Sequence, residues 1–261
     1  MRSIGATGIL LFVLIFAGIA APILSPHNPR EQILSLSFHA PSVSSPMGRD
    51  ALGRDIFSRV LYGLRTSLFI GFTVVLISLS LGVMVGGMAG YIGGFPDTVF
   101  SRAIDILMAF PGLLLSIGIA GIMGPSTLNI IIALCAAGWV GYARYTRAMV
   151  ISIKQRDYIV SATAIGKNKF TILFSDILPN IIEPLIVEAS FGIGIAIVSE
   201  ASLSFLGLSS PSTPSLGRML SEAISVINVS PWMALFPGLT LTIIVLLFND
   251  IGERIRKIYE R

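Results

Sequence analysis

The chain has 261 residues, of which 54% are hydrophobic and only 12% charged, and its formal net charge is +4. A soluble domain usually carries about 25% charged residues, so a water-soluble globule is all but excluded. Intrinsic disorder, which requires low hydrophobicity, is excluded as well. A single cysteine cannot form an internal disulfide, and two histidines cannot form a His-rich metal site. The remaining class is an all-α integral membrane protein, whose basic residues report topology rather than nucleic-acid binding.

Long uncharged stretches predict six transmembrane helices, because about 20 apolar residues cross a hydrocarbon core of about 30 Å. The uncharged run 106–143 would measure about 57 Å as one straight helix. It must therefore turn, and Gly124-Pro125-Ser126 is the expected corner. The predicted spans are 9–24, one within 66–96, 104–123, 128–149, 177–206 and 233–250.

The first span has one alternative, a cleaved signal peptide with its cleavage site at Ala20-Ala21. Only Arg2 forms a basic region before it, and the rest of the chain is not a soluble domain, so a retained span is favoured. The predicted organisation is an N-terminus with the first span, an outer loop, a five-span core and a short tail. Their bounds are 1–24, 25–65, 66–252 and 253–261.

Basic residues predict the orientation, because cytoplasmic loops carry an excess of Lys and Arg. With six spans, twelve of the 18 basic residues fall on the side of the two termini and six on the other side. Five of those six lie in the 25–65 loop, which weakens the bias without reversing it. Both termini and the segment 151–179 are therefore predicted to be cytoplasmic.

Glycines recur every fourth residue on the second predicted span, at Gly82, Gly86 and Gly90, with Gly94 just past it. Residues four apart share one helix face, and small residues there let another helix approach closely in lipid. Close packing within this chain is the favoured interpretation. A subunit interface or a moving helix contact is the alternative.

The segment 151–179 is predicted to contain a short helix, with Asp157 as N-cap and Gly166 just after its end. A second helical stretch lies over 169–178, and Pro179 can begin another helix. Such a short helix either lies on the membrane surface or docks into a groove of a soluble partner, and composition does not decide between them. The residues of its apolar face are Tyr158, Ile159, Ala162 and Ile165.

Four motifs of the sequence carry a resemblance to a known family. Ser161-Ala162, Gly166 and Leu178-Pro179 fit the pattern E-A-A-x3-G-x9-I-x-L-P, with Val160 in place of the Glu. This resembles the cytoplasmic "EAA" loop of permease subunits in binding-protein-dependent ABC importers. Three further motifs resemble the dipeptide/oligopeptide/nickel branch of that family: M-G-R-D-A-L-G-R-D-I-F-S-R over 47–59, G-W-V-G-Y-A-R over 138–144 and E-A-S-L-S-F-L-G-L over 200–208.

The resemblance implies a set of partners. Family members pair with a second, often non-identical, permease in the membrane lipid, with two ATPase subunits below and a solute-binding protein outside. It also implies that the helix before Gly166 is a coupling helix in a cleft of the ATPase. The implied ATPase-coupling residues are Asp157, Tyr158, Ser161, Ala162, Ile165, Gly166, Leu178 and Pro179. Dipeptides, longer peptides, nickel and metal chelates all remain open as substrates.

The sequence gives no reason to expect an enzyme. The only Gly-Lys pair is Gly166-Lys167, followed by Asn168, and Ser161 stands where a P-loop needs its first glycine. The sequence also lacks H-E-x-x-H and G-x-S-x-G. We therefore predict no catalytic residue, no metal ligand and no cofactor in this chain, and we expect ATP hydrolysis on a partner subunit.

Carboxylates interrupt the fifth predicted span at Glu183, Glu188 and Glu200. Because they are costly in hydrocarbon, they should face protein or a cavity. Glu188 and Glu200 are candidates for the translocation path or gate, and for Glu200 a structural or gate role is favoured. Proton transfer through them would instead indicate a proton-coupled secondary transporter. A membrane scaffold whose 151–179 loop anchors a soluble protein is the third interpretation.

The outer loop contains a small repeat, Gly48-Arg49-Asp50 and Gly53-Arg54-Asp55. Two glycine turns with exposed ion pairs are the favoured interpretation, and a contact for the binding protein is the alternative. His27 and His39 are expected on the loop surface rather than as nickel ligands.

Overall fold

The computed structural model describes residues 4–259, and helices make up most of that range. Arg2 and Arg261, which entered the predicted orientation, lie outside the described residues. A 3-10 turn (Leu34–Leu36) precedes the long helices, and a π-helical turn (Ile172–Ile177) lies between two of them. The α-helices are α1 (Ile4–Ile19), α2 (Ala21–Leu24), α3 (Ile56–Ile92), α4 (Gly94–Met108), α5 (Gly112–Met123), α6 (Thr127–Lys154), α7 (Asp157–Ala164), α8 (Lys169–Thr171), α9 (Leu178–Phe205), α10 (Leu216–Ile224) and α11 (Trp232–Tyr259).

The helix bundle has two ends, which we name the cap (residues 25–55 and 206–231) and the foot (residues 155–177). At the foot, Lys154 Nζ donates a 2.6 Å hydrogen bond to the carbonyl of Tyr91, so α3 ends where α6 ends. At the cap, Gly63 near the start of α3 packs against Leu216. Because α1 ends beside this part of α3 and α11 begins in the cap, both helices extend from the cap in the direction of the foot toward the described ends of the chain.

Four helical segments within residues 4–259 are long and apolar enough to cross a membrane: α3, α6, the continuous stretch Lys169–Phe205, and α11. The pair α4 and α5 would make a fifth as one broken span. α1 is apolar but has only 16 residues, about 24 Å of helix. The six-span count therefore stays a prediction.

The third predicted span is not the single straight helix expected over 104–123. The chain breaks between Met108 and Gly112, and α4 and α5 meet at 80°. Pro111 accounts for the break, because a proline disfavours helical backbone at the residue before it and donates no hydrogen bond. The corner expected at Gly124-Pro125-Ser126 does separate α5 from α6.

The second predicted span begins earlier than its apolar sequence indicated. α3 starts at Ile56, where the side chain of Asp55 accepts a hydrogen bond from the backbone N–H of Ser58 (2.8 Å) and caps the helix. Its 37 residues span about 55 Å, more than the hydrocarbon core requires. The extra turns carry Arg59 into the cap, so the charges that bounded the predicted span lie inside the helix.

Residues 169–205 form one continuous helical stretch through the π-helical turn, and Pro179 lies in the first turn of α9, at the position where a helix start was expected. In a regular α-helix the proline ring collides with the carbonyl four residues earlier. The π-helical turn widens the backbone immediately before Pro179 and accommodates the ring. A second proline, Pro184, lies inside α9 one turn later.

Apolar side chains pack in a central core with a smaller core at each end. The central core joins α3, α5, α6, α9 and α11 around Ile130, Ile197 and Ile244, which are fully buried. The foot core contains Ile159 of α7 together with Ile172 and Ile177 of the π-helical turn. α7 is thereby packed against the base of α9.

Candidate functional site

The short helix of the foot, α7, begins differently from the prediction. Arg156, not Asp157, has the extended backbone of an N-cap, and its carbonyl accepts from Ile159 N (2.9 Å). Asp157 is the first helical residue, where its negative charge still complements the positive end of the helix dipole. The side chain of Asp157 has no hydrogen-bond partner among the described residues, so it does not fix the start of the helix.

The end of α7 is a Schellman motif at the expected glycine. Gly166 has φ +80°, its N–H donates to Thr163 O (3.0 Å), and Lys167 N donates to Ala162 O (3.1 Å). Nothing lies within 4 Å of where a Gly166 side chain would be. A side chain there would therefore meet backbone strain but no collision. Lys167 Nζ also pairs with Asp176 (2.6 Å), which ties this turn to the start of α9.

The predicted apolar face of α7 is divided. Ile159 is buried (1% exposed) and Ala162 is half-buried against the foot core, whereas Tyr158 and Ile165 (83% exposed) point away from it. The reason is length: an eight-residue helix turns little more than twice, and only residues on the side facing α9 reach the core. Ser161 and Pro179 are exposed and Leu178 is half-buried.

Several large apolar side chains on and beside α7 remain exposed. We name this set the foot surface: Tyr158, Val160, Ile165, Phe170 and Phe174. A groove of about 380 Å³ lies beside it, lined by Tyr91, Thr163, Phe170 and Leu173 among others. Exposed apolar surface of this kind marks an interaction site. α7 is thus fixed to the transmembrane helix on one side and open to a partner on the other.

The glycines at spacing four lie against α6. A side chain at Gly82 would collide with Tyr142 and Ala143, one at Gly86 with the backbone of Ala143, and one at Gly90 with the backbone of Arg147. These are contacts within the chain, and all three include backbone atoms. Gly94 does not continue the row, because α3 has ended and Gly94 opens α4 with φ +64°.

Glu188 lines a cavity of about 260 Å³ between α3, α5, α6 and α9. It lies ten residues into α9, about 15 Å along the helix. Its carboxylate has no hydrogen-bond or ion-pair partner among residues 4–259. A charged side chain at the centre of a bilayer costs about 2.5–3.5 kcal/mol on insertion scales, so this carboxylate requires water. Tyr142 and Ser199 add hydroxyl groups to the cavity wall.

Glu200 has a different environment, because it is completely buried (0% exposed) at the cap end of α9. Its carboxylate accepts three serine hydroxyl groups from three parts of the chain: Ser67 of α3 (2.7 Å), Ser204 of α9 (2.7 Å) and Ser215, the N-cap of α10 (2.9 Å). Glu200 therefore joins two transmembrane helices to the cap and has no open route to solvent.

The outer-loop repeat forms turns at Gly48 (φ +77°) and Gly53 (φ +69°), but its ion pairs are not exposed as expected. Arg59 pairs with Asp50, and both side chains are nearly fully buried. Arg59 and Arg54 also donate to Glu222 of α10 (2.9 and 2.8 Å). These partners come from three separate segments, so their burial is not visible in the local sequence.

The electrostatics of this cap cluster favour an ionised Glu222. Burial alone would raise the pKa of Glu222, but the positive charges of Arg59 and Arg54 outweigh it. Hydrogen bonds from Arg59 and Arg218 act in the same direction, so the pKa lies below its usual value. The cluster connects the outer loop, the start of α3 and α10 electrostatically.

One ion pair near the foot was not predicted from the sequence. Arg147 of α6 forms a bidentate contact with Asp97 of α4, with Nη2 2.7 Å from Oδ2. Each residue alone reads as an ordinary charge at the end of a span. The fourfold glycine row was the available signal, since it brings the ends of α3 and α6 together beside the start of α4.

Comparison with known proteins identifies the chain. Residues 82–261 match the family described as "Binding-protein-dependent transport system inner membrane component". The chain belongs to this family. A dipeptide transport system permease protein, DppC, from Haemophilus influenzae is 41% identical over 256 residues, which cover 95% of this chain and 87% of the relative. A glutathione transport system permease protein, GsiD, from Pectobacterium atrosepticum is 39% identical over 96% of this chain and 84% of the relative.

This member of the family also shares its fold with a solved ABC transporter. An inward-facing structure of the MetNI methionine ABC transporter matches with a TM-score of 0.59 at 19% identity, covering 76% of this chain and 95% of that chain. The chain is thus a multi-pass inner-membrane permease subunit of an ABC importer. It is not an enzyme, and ATPase activity lies on partner subunits.

Proposed function

We propose that this permease subunit imports peptides, with six spans, both termini in the cytoplasm and the cap outside. The predicted organisation at 1–24, 25–65, 66–252 and 253–261 is retained in this proposal. Dipeptide and glutathione permeases among the relatives support a peptide substrate. Both α1 and α11 point from the cap toward the foot at the described ends of the chain, which supports a common side for the termini and the 151–179 segment. Nickel ions and metal chelates are the competing substrates.

The proposed assembly contains a second, non-identical permease subunit, two ATPase subunits and a solute-binding protein at the cap. The observation that carries the coupling role is the construction of α7. Ile159 fastens it to the base of α9 in the foot core, while Tyr158 and Ile165 stay exposed. A helix that served only to connect two spans would not need a buried anchor and an uncovered apolar surface at once.

The proposed coupling is mechanical. Closure of the ATPase dimer on ATP displaces α7, and the foot core passes that displacement to the base of α9. The Lys167–Asp176 pair (2.6 Å) adds a polar link across the same joint. Each access state needs its own contacts with the ATPase, because a ligand shifts only an equilibrium between states that it distinguishes.

The proposed translocation path includes the cavity lined by Glu188. Ser199 lies eleven residues further along α9 on the same helix face, toward the cap. Glu200 is proposed as a gate-supporting residue rather than a proton carrier. Its three serine donors hold the ends of α3, α9 and α10 together, so the outer end of the path moves only if this cluster moves or opens.

The coupling role is tested with Gly166→Leu in the complete importer reconstituted in liposomes. At φ +80° a leucine is strained by about 1–2 kcal/mol, which disturbs the turn beyond α7. We expect peptide uptake and stimulated ATP hydrolysis to fall while the permease still inserts. Gly124→Leu is the matched control, because Gly124 has φ +83° and equally open surroundings at the other end of the bundle.

Loss of uptake in both glycine variants to the same extent would mean that backbone strain alone matters, and unchanged uptake in Gly166→Leu would remove the coupling role. Ala162→Arg is a second variant, because it places a charge against the foot core beside Ile159.

Uptake of labelled dipeptide compared with labelled nickel by the same liposomes tests the substrate.

A further inference from the structure

Glu188 is the only acidic or basic residue among the described residues lining the central cavity. Its neighbours there are aliphatic groups, backbone and hydroxyl groups. The next residue on its helix face is Gly192, and the hydroxyl of Tyr142 occupies the space beside that glycine.

No cationic side chain within residues 4–259 pairs with Glu188. Other carboxylates near the ends of the bundle have cationic partners, such as Asp97 with Arg147 and Glu222 with Arg59. Glu188 has none among residues 4–259, although it lies in the middle of α9, where an unpaired charge is least tolerated. Because the other side chains of the wall are apolar or carry only neutral hydroxyl groups, the carboxylate dominates the electrostatic field in the cavity.

The oxygen atoms of the cavity suit one kind of cation. A single carboxylate with hydroxyl groups nearby can accept the hydrogen bonds of an ammonium group. A transition-metal ion such as nickel takes several nitrogen, sulfur or oxygen ligands in a defined geometry, which one carboxylate does not provide. Resting on the proposed function in peptide import, we infer that Glu188 binds the ammonium group of a peptide during its passage through the membrane.

The test uses the complete importer in liposomes, with labelled alanyl-alanine and its N-acetylated form as substrates. Glu188→Gln keeps the size of the side chain and removes the charge. We expect roughly a ten- to hundredfold loss of uptake of the free-amine peptide, the range for a hydrogen bond between charged groups. Each result is divided by wild-type uptake of the same peptide, which cancels the preference of the binding protein. Uptake of the acetylated peptide should fall much less.

Glu183→Gln is the matched control, because Glu183 is an exposed carboxylate on the same helix, as Glu188 is, but it does not line the cavity. It should leave uptake unchanged. If the binding protein refuses the acetylated peptide, the series Glu188→Asp, Glu188→Gln and Glu188→Lys decides, and uptake of alanyl-alanine must fall in that order.

Three results would overturn the inference: unchanged uptake in Glu188→Gln, an equal loss of uptake for both peptides, or uptake of alanyl-alanine that does not fall in the order Asp, Gln, Lys. If wild-type liposomes import no peptide at all, the proposed function fails. If wild-type import is normal and Glu188→Gln matches it, only the ammonium site fails.

Discussion

Replacing Gly86 by alanine adds one methyl group at the closest approach of α3 to α6. That methyl carbon would lie 2.8 Å from the carbonyl carbon and 2.9 Å from the Cα of Ala143, whereas ordinary contact begins at 3.4 Å. It would also collide with the carbonyl oxygen. All three are backbone atoms, so no change of rotamer can relieve the contact. The oxygen contact is the closest of the three, so the two helices must separate by roughly one ångström.

Separation of that size has a predictable energetic cost. A radial gap of about 0.5–1 Å removes a quarter to a half of the dispersion energy of each affected contact. The pairing of α3 with α6 is the most extensive helix contact in the bundle. Overpacking of a close contact costs about 1–3 kcal/mol, and we expect the upper part of that range. For a chain of this length, that lowers Tm by roughly 4–12 °C.

Thermal unfolding of the purified permease in detergent measures this effect, with Gly121→Ala of α5 as the control. Nothing lies within 4 Å of where the Gly121 side chain would be, and alanine is better than glycine inside a helix by about 1 kcal/mol. The control should therefore be neutral or stabilising. Equal Tm values for the two variants, or a stabilised Gly86→Ala, would refute close approach as the reason for the glycine row.

Two further predictions concern the cap. Glu200→Leu leaves the buried hydroxyl groups of Ser67, Ser204 and Ser215 without their acceptor. We expect the free energy of unfolding to fall by at least about 2 kcal/mol. Glu200→Gln should have a smaller effect in the same detergent assay. Folding lowers the pKa of Glu222. The ionised Glu222 therefore stabilises the fold above the unfolded pKa of about 4.3. That stabilisation is lost as the pH falls through the folded pKa. Wild type should therefore exceed Glu222→Gln in Tm at neutral pH and lose this advantage in acid; a difference independent of pH would contradict it.

The helices could be predicted where hydropathy and local breakers determine them. The corner at Gly124-Pro125-Ser126 and the end of α7 at Gly166 arise from residues whose backbone preferences act locally. Pro111 carried the same kind of signal for the 80° bend, but the uninterrupted apolar sequence around it outweighed that signal. The early start of α3 was missed because charged residues were taken to end a span, whereas Arg59 is neutralised by distant partners.

The site was less accessible from sequence because its parts depend on contacts between distant segments. Spacing alone placed Ile159 and Ile165 on one apolar face, yet only contact with the π-helical turn determines that Ile159 is buried and Ile165 exposed. Similarly, Glu188 and Glu200 have the same chemistry and lie in the same helix. Only the fold distinguishes a carboxylate facing a cavity from one enclosed by three serines.

The π-helical turn and the two prolines after it lie close together at the base of a long helix, so its irregular hydrogen bonding is confined to that base. Pro179 and Pro184 each remove a backbone donor, whereas the backbone beyond Leu185 continues to Phe205 without another proline. The base of α9 therefore lacks backbone hydrogen bonds that the remaining 30 Å or so of the helix can form. If α9 tilts at its base, the sideways displacement is larger near Glu200 than at the base, as at the far end of a lever.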